Sequence, residues 1–311
     1  MKRLRRKLFS LVLLGLSGLL LLSGCGFPGL NSSSTGTVRI AAMSTTESQI
    51  MAEMLKALIE HDTSYKSTII ANLGSGNVTF NAQKRNDADL TSTRYTGTDL
   101  ESIMGKKINR KMTPAQTDAY VHRYFKTHYH MTYFPSYGFA DTYAWMVTEK
   151  FAKEHHVSNV SQLQPIASKM KVGIDPIWEN RHGDGYADFQ RVYGYKFGDV
   201  YNMQIGLVYS ALSNGRMDAV LGYSTDGRIN SYGLRVLKDD RNFFPPYDCS
   251  AVVNDAALKK YPKLKQVVAK LNGKIDLKTM QRLNYEVDNN LEEPATVAQR
   301  FLKQNHYFDG R

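Results

Sequence analysis

Short apolar runs alternate with segments of helical periodicity over the first hundred residues of the chain. Residues 38–42 and 67–71 have the composition of strands, and a third strand ends near 88–91. Between the first two strands, after a stretch at 46–49 with the form of a capping box, apolar residues recur at helical spacing, namely Ile50, Met51, Met54, Leu55, Leu58 and Ile59. A turn at 72–77 leads into a second helix. This β-α-β-α-β order predicts a mostly parallel sheet with covering helices.

The second half of the chain repeats the pattern. Strands are predicted at 146–148, 171–174, 218–223 and 234–237, with helices at 184–192, 203–212 and across 255–308. Two aromatic stretches punctuated by Gly and Pro, near 141–146 and 240–248, interrupt the alternation. We interpret these stretches as two crossings between two lobes, with the second lobe inserted into the first.

The N-terminus predicts an exported protein. Residues 2–7 are basic, residues 8–22 are apolar, and Leu22-Ser23-Gly24-Cys25 looks like a bacterial lipobox. The apolar run is short for a membrane span but typical of a signal peptide. We therefore expect an extracytoplasmic protein anchored to the membrane through a lipid on Cys25. The predicted division is 1–24 signal peptide, 25–36 tether, 37–141 with 246–311 lobe I, and 142–245 lobe II.

Composition and charge narrow the function. The 311 residues are 42% hydrophobic and 22% charged, as in globular proteins. The formal charge of +11 falls to +6 once the five basic residues of the signal peptide are removed. No run of Lys or Arg recurs after residue 7, so a nucleic-acid partner is not expected. The 19 tyrosines are the unusual feature.

Catalytic and metal-binding patterns are missing from the sequence. The spacing of His122, His128 and His130 does not suit a metal site. No GxSxG or HExxH motif is visible, and the only residues that we would test in a secreted enzyme are His182, Asp184 and Asp226. Neither an enzyme nor a cofactor is predicted. If Cys25 carries a lipid, Cys249 is a lone thiol, which we expect to be buried as a small apolar residue.

Tyrosines at strand ends and crossings suggest a ligand class. Five of them are predicted to face a cleft between the lobes: Tyr95, Tyr137, Tyr143, Tyr223 and Tyr247. No paired acid is predicted near them, and ring faces attract a quaternary ammonium group, which has no N–H to donate. Arg181, Thr98 and the helix start after Gly97 could hold a carboxylate at the ligand's other end. Structural tyrosines scattered by chance remain the alternative.

Long collinear stretches resemble the substrate-binding lipoproteins of osmoprotectant ABC importers, which take glycine betaine, carnitine and choline. The similarity runs from the lipobox to the end of the chain. It is carried by residues 93–100 (TRYTGTDL), 141–144 (DTYA), 183–186 (GDGY), 203–209 (MQIGLVY), 217–221 (MDAVL), 223–228 (YSTDGR) and 243–249 (FFPPYDC).

The resemblance implies an α/β fold of the two-lobe, type II periplasmic-binding-protein kind, each lobe a mixed sheet flanked by helices. It implies closure around the ligand and delivery to a permease with a cytoplasmic ATPase; we expect the receptor to be a monomer. The family's cage maps onto Tyr95, Tyr143, Tyr223 and Tyr247, its main-chain carbonyl contact onto Asp141, and its carboxylate partners onto Thr98 and Arg181. Tyr137 and Arg94 have no such counterpart, and Arg94 is expected to form a structural salt bridge.

The chain departs from the family after the first strand, where a polar Gln or Lys often helps to hold the carboxylate. Met43 stands there, unless the alignment shifts by one residue and Ser44 takes the place. This departure favours choline-like ligands over glycine betaine. An amino-acid receptor of the same fold, a secreted enzyme and a non-catalytic adhesin are the alternatives.

Overall fold

The computed structural model describes residues 36–107, 109 and 111–309. The predicted signal peptide at 1–24, the lipidation site Cys25 and the tether up to residue 35 lie outside the described residues. Within the described part of the chain, no helix is both long enough and apolar enough to cross a membrane.

The first sheet contains five strands in the order β2-β1-β3-β10-β4. They are β1 Thr37–Met43, β2 Lys66–Leu73, β3 Leu90–Tyr95, β4 Met131–Tyr133 and β10 Cys249–Asn254. The first three are parallel, whereas β10 is antiparallel to both β3 and β4. The sheet therefore receives one of its inner strands from far along the chain.

The second sheet has the order β7-β6-β8-β5-β9. Its strands are β5 Tyr143–Thr148, β6 Lys171–Ile174, β7 Asp199–Asn202, β8 Ala219–Tyr223 and β9 Leu234–Val236. Again three strands are parallel and one inner strand, β5, is antiparallel to its neighbours. We call each sheet with its helices a lobe, and the predicted mixed sheets are confirmed.

Helices cover both sheets. The first lobe carries α1 Thr46–Asp62, α2 Gly76–Lys84, α3 Pro114–Tyr129, α7 Asp255–Lys260, α8 Leu264–Ala269, α9 Leu277–Asp288 and α10 Pro294–Gln304. The second lobe carries α4 Glu149–Glu154, α5 Tyr186–Tyr193 and α6 Ile205–Ser213. Shorter helical turns are Thr96–Thr98, Asp99–Ile103, Val160–Leu163, Ala167–Lys169, Pro176–Glu179 and Arg228–Ser231.

Each lobe has its own apolar core. The periodic residues of α1 are fully buried and pack in the first lobe with Cys249, whose thiol is free and inaccessible as expected. Trp145 and Trp178 are the largest side chains of the second core. Burial of such faces is the main source of stability for helices of this length.

Some local predictions are wrong. The residue before α1 is Thr45, and the Gln49 amide donates to Ser44 and Asn72 rather than closing a capping box. Strand β5 begins at Tyr143, so the predicted crossing is shorter than expected. The sequence pattern also missed β4, β7 and α4 because all three are short.

Two segments connect the sheets, and they pair with each other. Ala140 forms an isolated bridge with Asp248, and the Asp141 N–H donates to the Tyr247 carbonyl at 3.2 Å. This two-stranded connection lies directly before β5 in one segment and directly before β10 in the other. Side chains at its ends are therefore placed between the lobes.

Candidate functional site

Tyr143 and Tyr223 form one wall between the lobes. They are register partners at the start of β5 and the end of β8, so both side chains emerge at the same edge of the second sheet. Their ring centroids are 5.2 Å apart with the planes inclined by 37°. The Tyr223 N–H donates to the Tyr209 hydroxyl at 2.8 Å, which fixes the backbone of this wall independently of the Tyr223 ring.

Arg181 lies between the lobes and contacts groups from both. It follows the helical turn after β6, and its guanidinium carbon is 5.7 Å from the Tyr143 ring centroid. It donates to Asp184 at 2.7 and 3.1 Å, to Glu101 of the first lobe at 2.8 Å, and to the Tyr247 hydroxyl at 3.2 Å. Tyr247 in turn donates to Asp184. Arg181 therefore forms an ion pair that joins the two lobes.

Arg181 is paired with two carboxylates, those of Asp184 and Glu101. Burial alone would lower the pKa of Arg181, but Tyr247 and Asp184 outweigh it and raise the pKa, so the side chain stays charged. The sequence suggested Asp184 only as a residue of an enzyme, and it did not indicate Glu101. The spacing of three after Arg181 is a signal that could have pointed to Asp184, whereas nothing local marks Glu101.

Tyr95 ends β3 opposite Cys249 of β10, and the chain turns into a helical segment at Thr96. Gly97 allows a close approach of the second connecting segment. A Cβ there would lie 2.7 Å from the Pro246 carbonyl oxygen and 2.9 Å from the Tyr247 ring. This contact brings the loop that carries Tyr95 against Tyr247. Thr98 is half-buried in the same loop.

Glu47 is the main residue that the sequence did not predict. It lies in the first turn of α1, is 3% exposed, and accepts a hydrogen bond from the Tyr95 hydroxyl. The Asp141 carboxylate, also nearby, accepts from the Thr225 hydroxyl at 2.9 Å. Two acids therefore lie near the tyrosines, whereas the sequence predicted no paired acid there.

Burial changes how these groups titrate. It raises the pKa of Glu47 and, together with the charge of Glu47, raises the pKa of Asp141 well above its usual range. Burial also raises the pKa of Tyr143 to about 12, and it raises the pKa values of Tyr95, Tyr223 and Tyr247 above the usual value for a phenol. The phenols therefore remain neutral at physiological pH, with their ring faces intact.

The remaining candidates are Met43, Ser44 and Tyr137. Met43 is 9% exposed at the end of β1, and the exposed Ser44 donates its N–H to Leu73 at 3.1 Å. Tyr137 is fully buried, with its hydroxyl on the Ser92 carbonyl at 2.7 Å, so it belongs to the first core.

Arg94 forms the expected structural salt bridge. It is 2% exposed and pairs with Asp99, which is 1% exposed. Its guanidinium also donates to the Gly76 carbonyl at 3.0 Å and lies 5.5 Å from the Phe80 ring. These contacts hold the loop after β3 in place.

Residues considered for other functions are not assembled into a site. Asp226 is paired with Arg228, while His182 is exposed. Among the described residues, no group of three His, Cys, Asp or Glu could hold a metal ion. A groove of about 740 Å³ beside Phe244, Pro245 and Leu237 is lined by Tyr143 and Tyr247 but not by Tyr95 or Tyr223.

Comparison with known families decides the assignment. Residues 36–304 match the OpuAC model, described as the substrate binding domain of an ABC-type glycine betaine transport system. The chain belongs to the OpuAC family. Members of the OpuAC family are substrate-binding receptors of ABC importers and not enzymes, so the predicted family and the non-enzymatic role are confirmed.

Individual relatives agree with OpuAC membership. The chain is 49% identical over its whole length to the carnitine transport binding protein OpuCC of Listeria monocytogenes, which it also covers completely. It is 29% identical to a glycine-betaine-binding protein of Pseudomonas aeruginosa, covering 88% of this chain and 89% of that protein.

Solved structures give the same fold. A glycine betaine/carnitine/choline ABC transporter protein superposes with a TM-score of 0.82 at 48% identity, covering 88% of this chain and all of that one. Lactococcal OpuAC, closed on glycine betaine, superposes at 0.58 with 16% identity, covering 88% of this chain and 97% of that one, and supports the fold alone. The predicted two-lobe fold is confirmed.

Proposed function

We propose that the chain is an extracytoplasmic receptor that binds quaternary ammonium solutes in a cage formed by Tyr95, Tyr143, Tyr223 and Tyr247. The observations that support the proposal are the facing rings of Tyr143 and Tyr223 and the close approach of the Tyr95 loop to Tyr247 at Gly97. Each ring face contributes about 0.5–2 kcal/mol to a desolvated cation. Micromolar affinity needs about 8 kcal/mol, so dispersion and polar contacts supply the remainder.

The other end of the ligand would meet Arg181 and Thr98, with the Asp141 carbonyl beside the cation. Arg181 already joins the two lobes through Glu101. A ligand that contacts both lobes would favour this closed arrangement over an open one. The connecting segments at 140–141 and 247–248 would act as the hinge between lobe I (37–141 and 246–311) and lobe II (142–245).

Choline is favoured as a ligand by two observations. Met43 provides no charged or hydrogen-bonding side chain for a carboxylate, and Arg181 is already paired with Asp184 and Glu101. A solute without a carboxylate needs neither group. A receptor for amino acids of the same fold is the second candidate, because Glu47 and Asp141 are acids that could accept from a primary ammonium.

Isothermal titration calorimetry separates these candidates. We expect binding of choline, carnitine or glycine betaine, and none of glycine, which shares the carboxylate of glycine betaine but lacks its methyl groups. Failure of all three quaternary ligands would refute the proposal, and binding of glycine alone would favour the amino-acid receptor.

Cellular placement follows from the resemblance and the N-terminal sequence. The lipid on Cys25 would hold the mature receptor, as a monomer, at the outer face of the cell membrane. From there it would deliver the solute to an ABC permease driven by its ATPase, as protection against osmotic stress. Several acyl chains on one cysteine give stable anchoring, whereas one chain is marginal.

A further inference from the structure

Glu47 is an acidic residue in an unusual position. It is 3% exposed on α1, and its Oε1 accepts from the Tyr95 hydroxyl. Its Oε2 is buried and makes no direct hydrogen bond to any residue that the structure describes. The Thr225 hydroxyl and Asn284 amide lie close enough to offset part of the rise in its pKa. A buried, incompletely satisfied carboxylate is costly, so a compensating interaction is expected.

The surroundings of Glu47 do not supply that compensation. The titratable or charged groups facing this region come from every element around it: Tyr95 on β3, Asp141 on the first connecting segment, Asp226 and Arg228 after β8, Cys249 on β10 and Asp288 on α9. Arg228 is the cation of this set, and Asp226 holds it with two hydrogen bonds. The carboxylates around Glu47 therefore outnumber the one cation of this set.

Tyr95 transmits the effect of Glu47 to the cage. A carboxylate that accepts from a phenol polarises it and makes the ring face more negative. Cation–π attraction depends on that negative face. The Asp141 charge acts on both Tyr95 and Tyr223, and Glu47 acts on Asp141, so the acids are coupled to two walls of the cage.

We propose that Glu47 is the anionic counter-group of the cage and selects for ligands with a net positive charge. The proposal rests on the proposed function, because it assumes a cation between the tyrosines. The bound cation favours the ionised form of Glu47, and the ionised form favours the cation. Binding is therefore strongest above the pKa of Glu47 and weakens as the pH falls through it.

The test is choline affinity of the purified full chain, measured by calorimetry for wild type and Glu47→Gln from pH 8 down to the lowest pH at which both proteins stay folded. Glutamine keeps an acceptor for the Tyr95 hydroxyl but removes the charge. At pH 8 we expect Glu47→Gln to bind choline about tenfold more weakly, as about 1.4 kcal/mol of lost attraction would give. The ratio should shrink as the pH falls, because wild-type Glu47 then becomes neutral too.

Controls separate a charge effect from a structural one. Glu53→Gln changes a half-buried residue of the same helix and should leave the affinity unchanged. Asp248, whose pKa is raised to about 6 by burial and Asp118, titrates in both proteins and cancels in the ratio. Circular dichroism at each pH checks the fold.

Two results would overturn the role of Glu47. One is an affinity of Glu47→Gln within about twofold of wild type at pH 8. The other is a loss that stays constant down to the lowest pH at which both proteins are folded, which would mean that the substituted amide merely displaces Tyr95. If wild type binds no quaternary ammonium ligand at any pH, the proposed function itself fails, so the two failures are distinguishable.

Discussion

The sharpest test of the cage is the replacement of Tyr223 by leucine. Leucine keeps an apolar side chain but removes the ring face that opposes Tyr143 at 5.2 Å. The backbone should stay in place, since the Tyr223 N–H is held by the Tyr209 hydroxyl. Tyr223→Phe is the matched variant, because it keeps the ring and removes only the hydroxyl.

The magnitude follows from the burial of the ring. A desolvated ring contributes about 0.5–2 kcal/mol to a cation, and loss of its dispersion contacts adds to this. We expect Tyr223→Leu to weaken choline binding about tenfold to thirtyfold, since about 1.4 kcal/mol corresponds to a factor of ten. The phenylalanine variant should lose less than about threefold, because phenylalanine retains most of the negative ring face.

Calorimetry with choline measures both affinities, and thermal unfolding checks that the variants are folded. Tyr201→Leu serves as the control, since this tyrosine is 43% exposed on edge strand β7 of the same sheet. An unchanged affinity in Tyr223→Leu would exclude Tyr223 from the cage. Equal losses in both variants would assign the binding energy to the hydroxyl rather than to the ring.

Further predictions concern Arg181, Arg94 and the anchor. Arg181→Met should weaken glycine betaine binding at least about fivefold more than choline binding, because charged hydrogen bonds to a carboxylate are lost; equal losses by calorimetry would contradict the clamp. Arg94→Met should cost about 3–5 kcal/mol in denaturant unfolding by leaving Asp99 unpaired, whereas the exposed Arg85→Met should cost under about 1 kcal/mol; similar values would refute this. Cys25→Ala should abolish incorporation of labelled fatty acid, and retained labelling would exclude this anchor.

Strand ends were the part of the site that sequence could predict. Tyr223 follows an apolar run and Tyr95 follows an apolar-then-polar one, and the connection between a run and the next segment fixes where such residues emerge. The two-lobe arrangement followed from the same alternation. β7 was missed because it is a short edge strand with mostly exposed residues, so it lacks an apolar pattern.

The acidic residues that contact the site could not be predicted from local sequence patterns. Glu47 stands within a stretch that resembles a capping box, and its contact with Tyr95 depends on how α1 lies across the sheet. Glu101 meets Arg181 only when the two lobes approach each other. Such contacts depend on tertiary geometry, which spacing along the chain does not encode.

The inner position of β10 in the first sheet has a consequence for the order of folding. β10 lies between β3 and β4 and joins them into one sheet. Its residues 249–254 are synthesised only after the entire second sheet. Closing so long a loop is entropically slow, whereas the strands of the second sheet are close together in the chain. An emerging chain can thus assemble its second sheet first, while the first sheet remains incomplete until β10 has been synthesised.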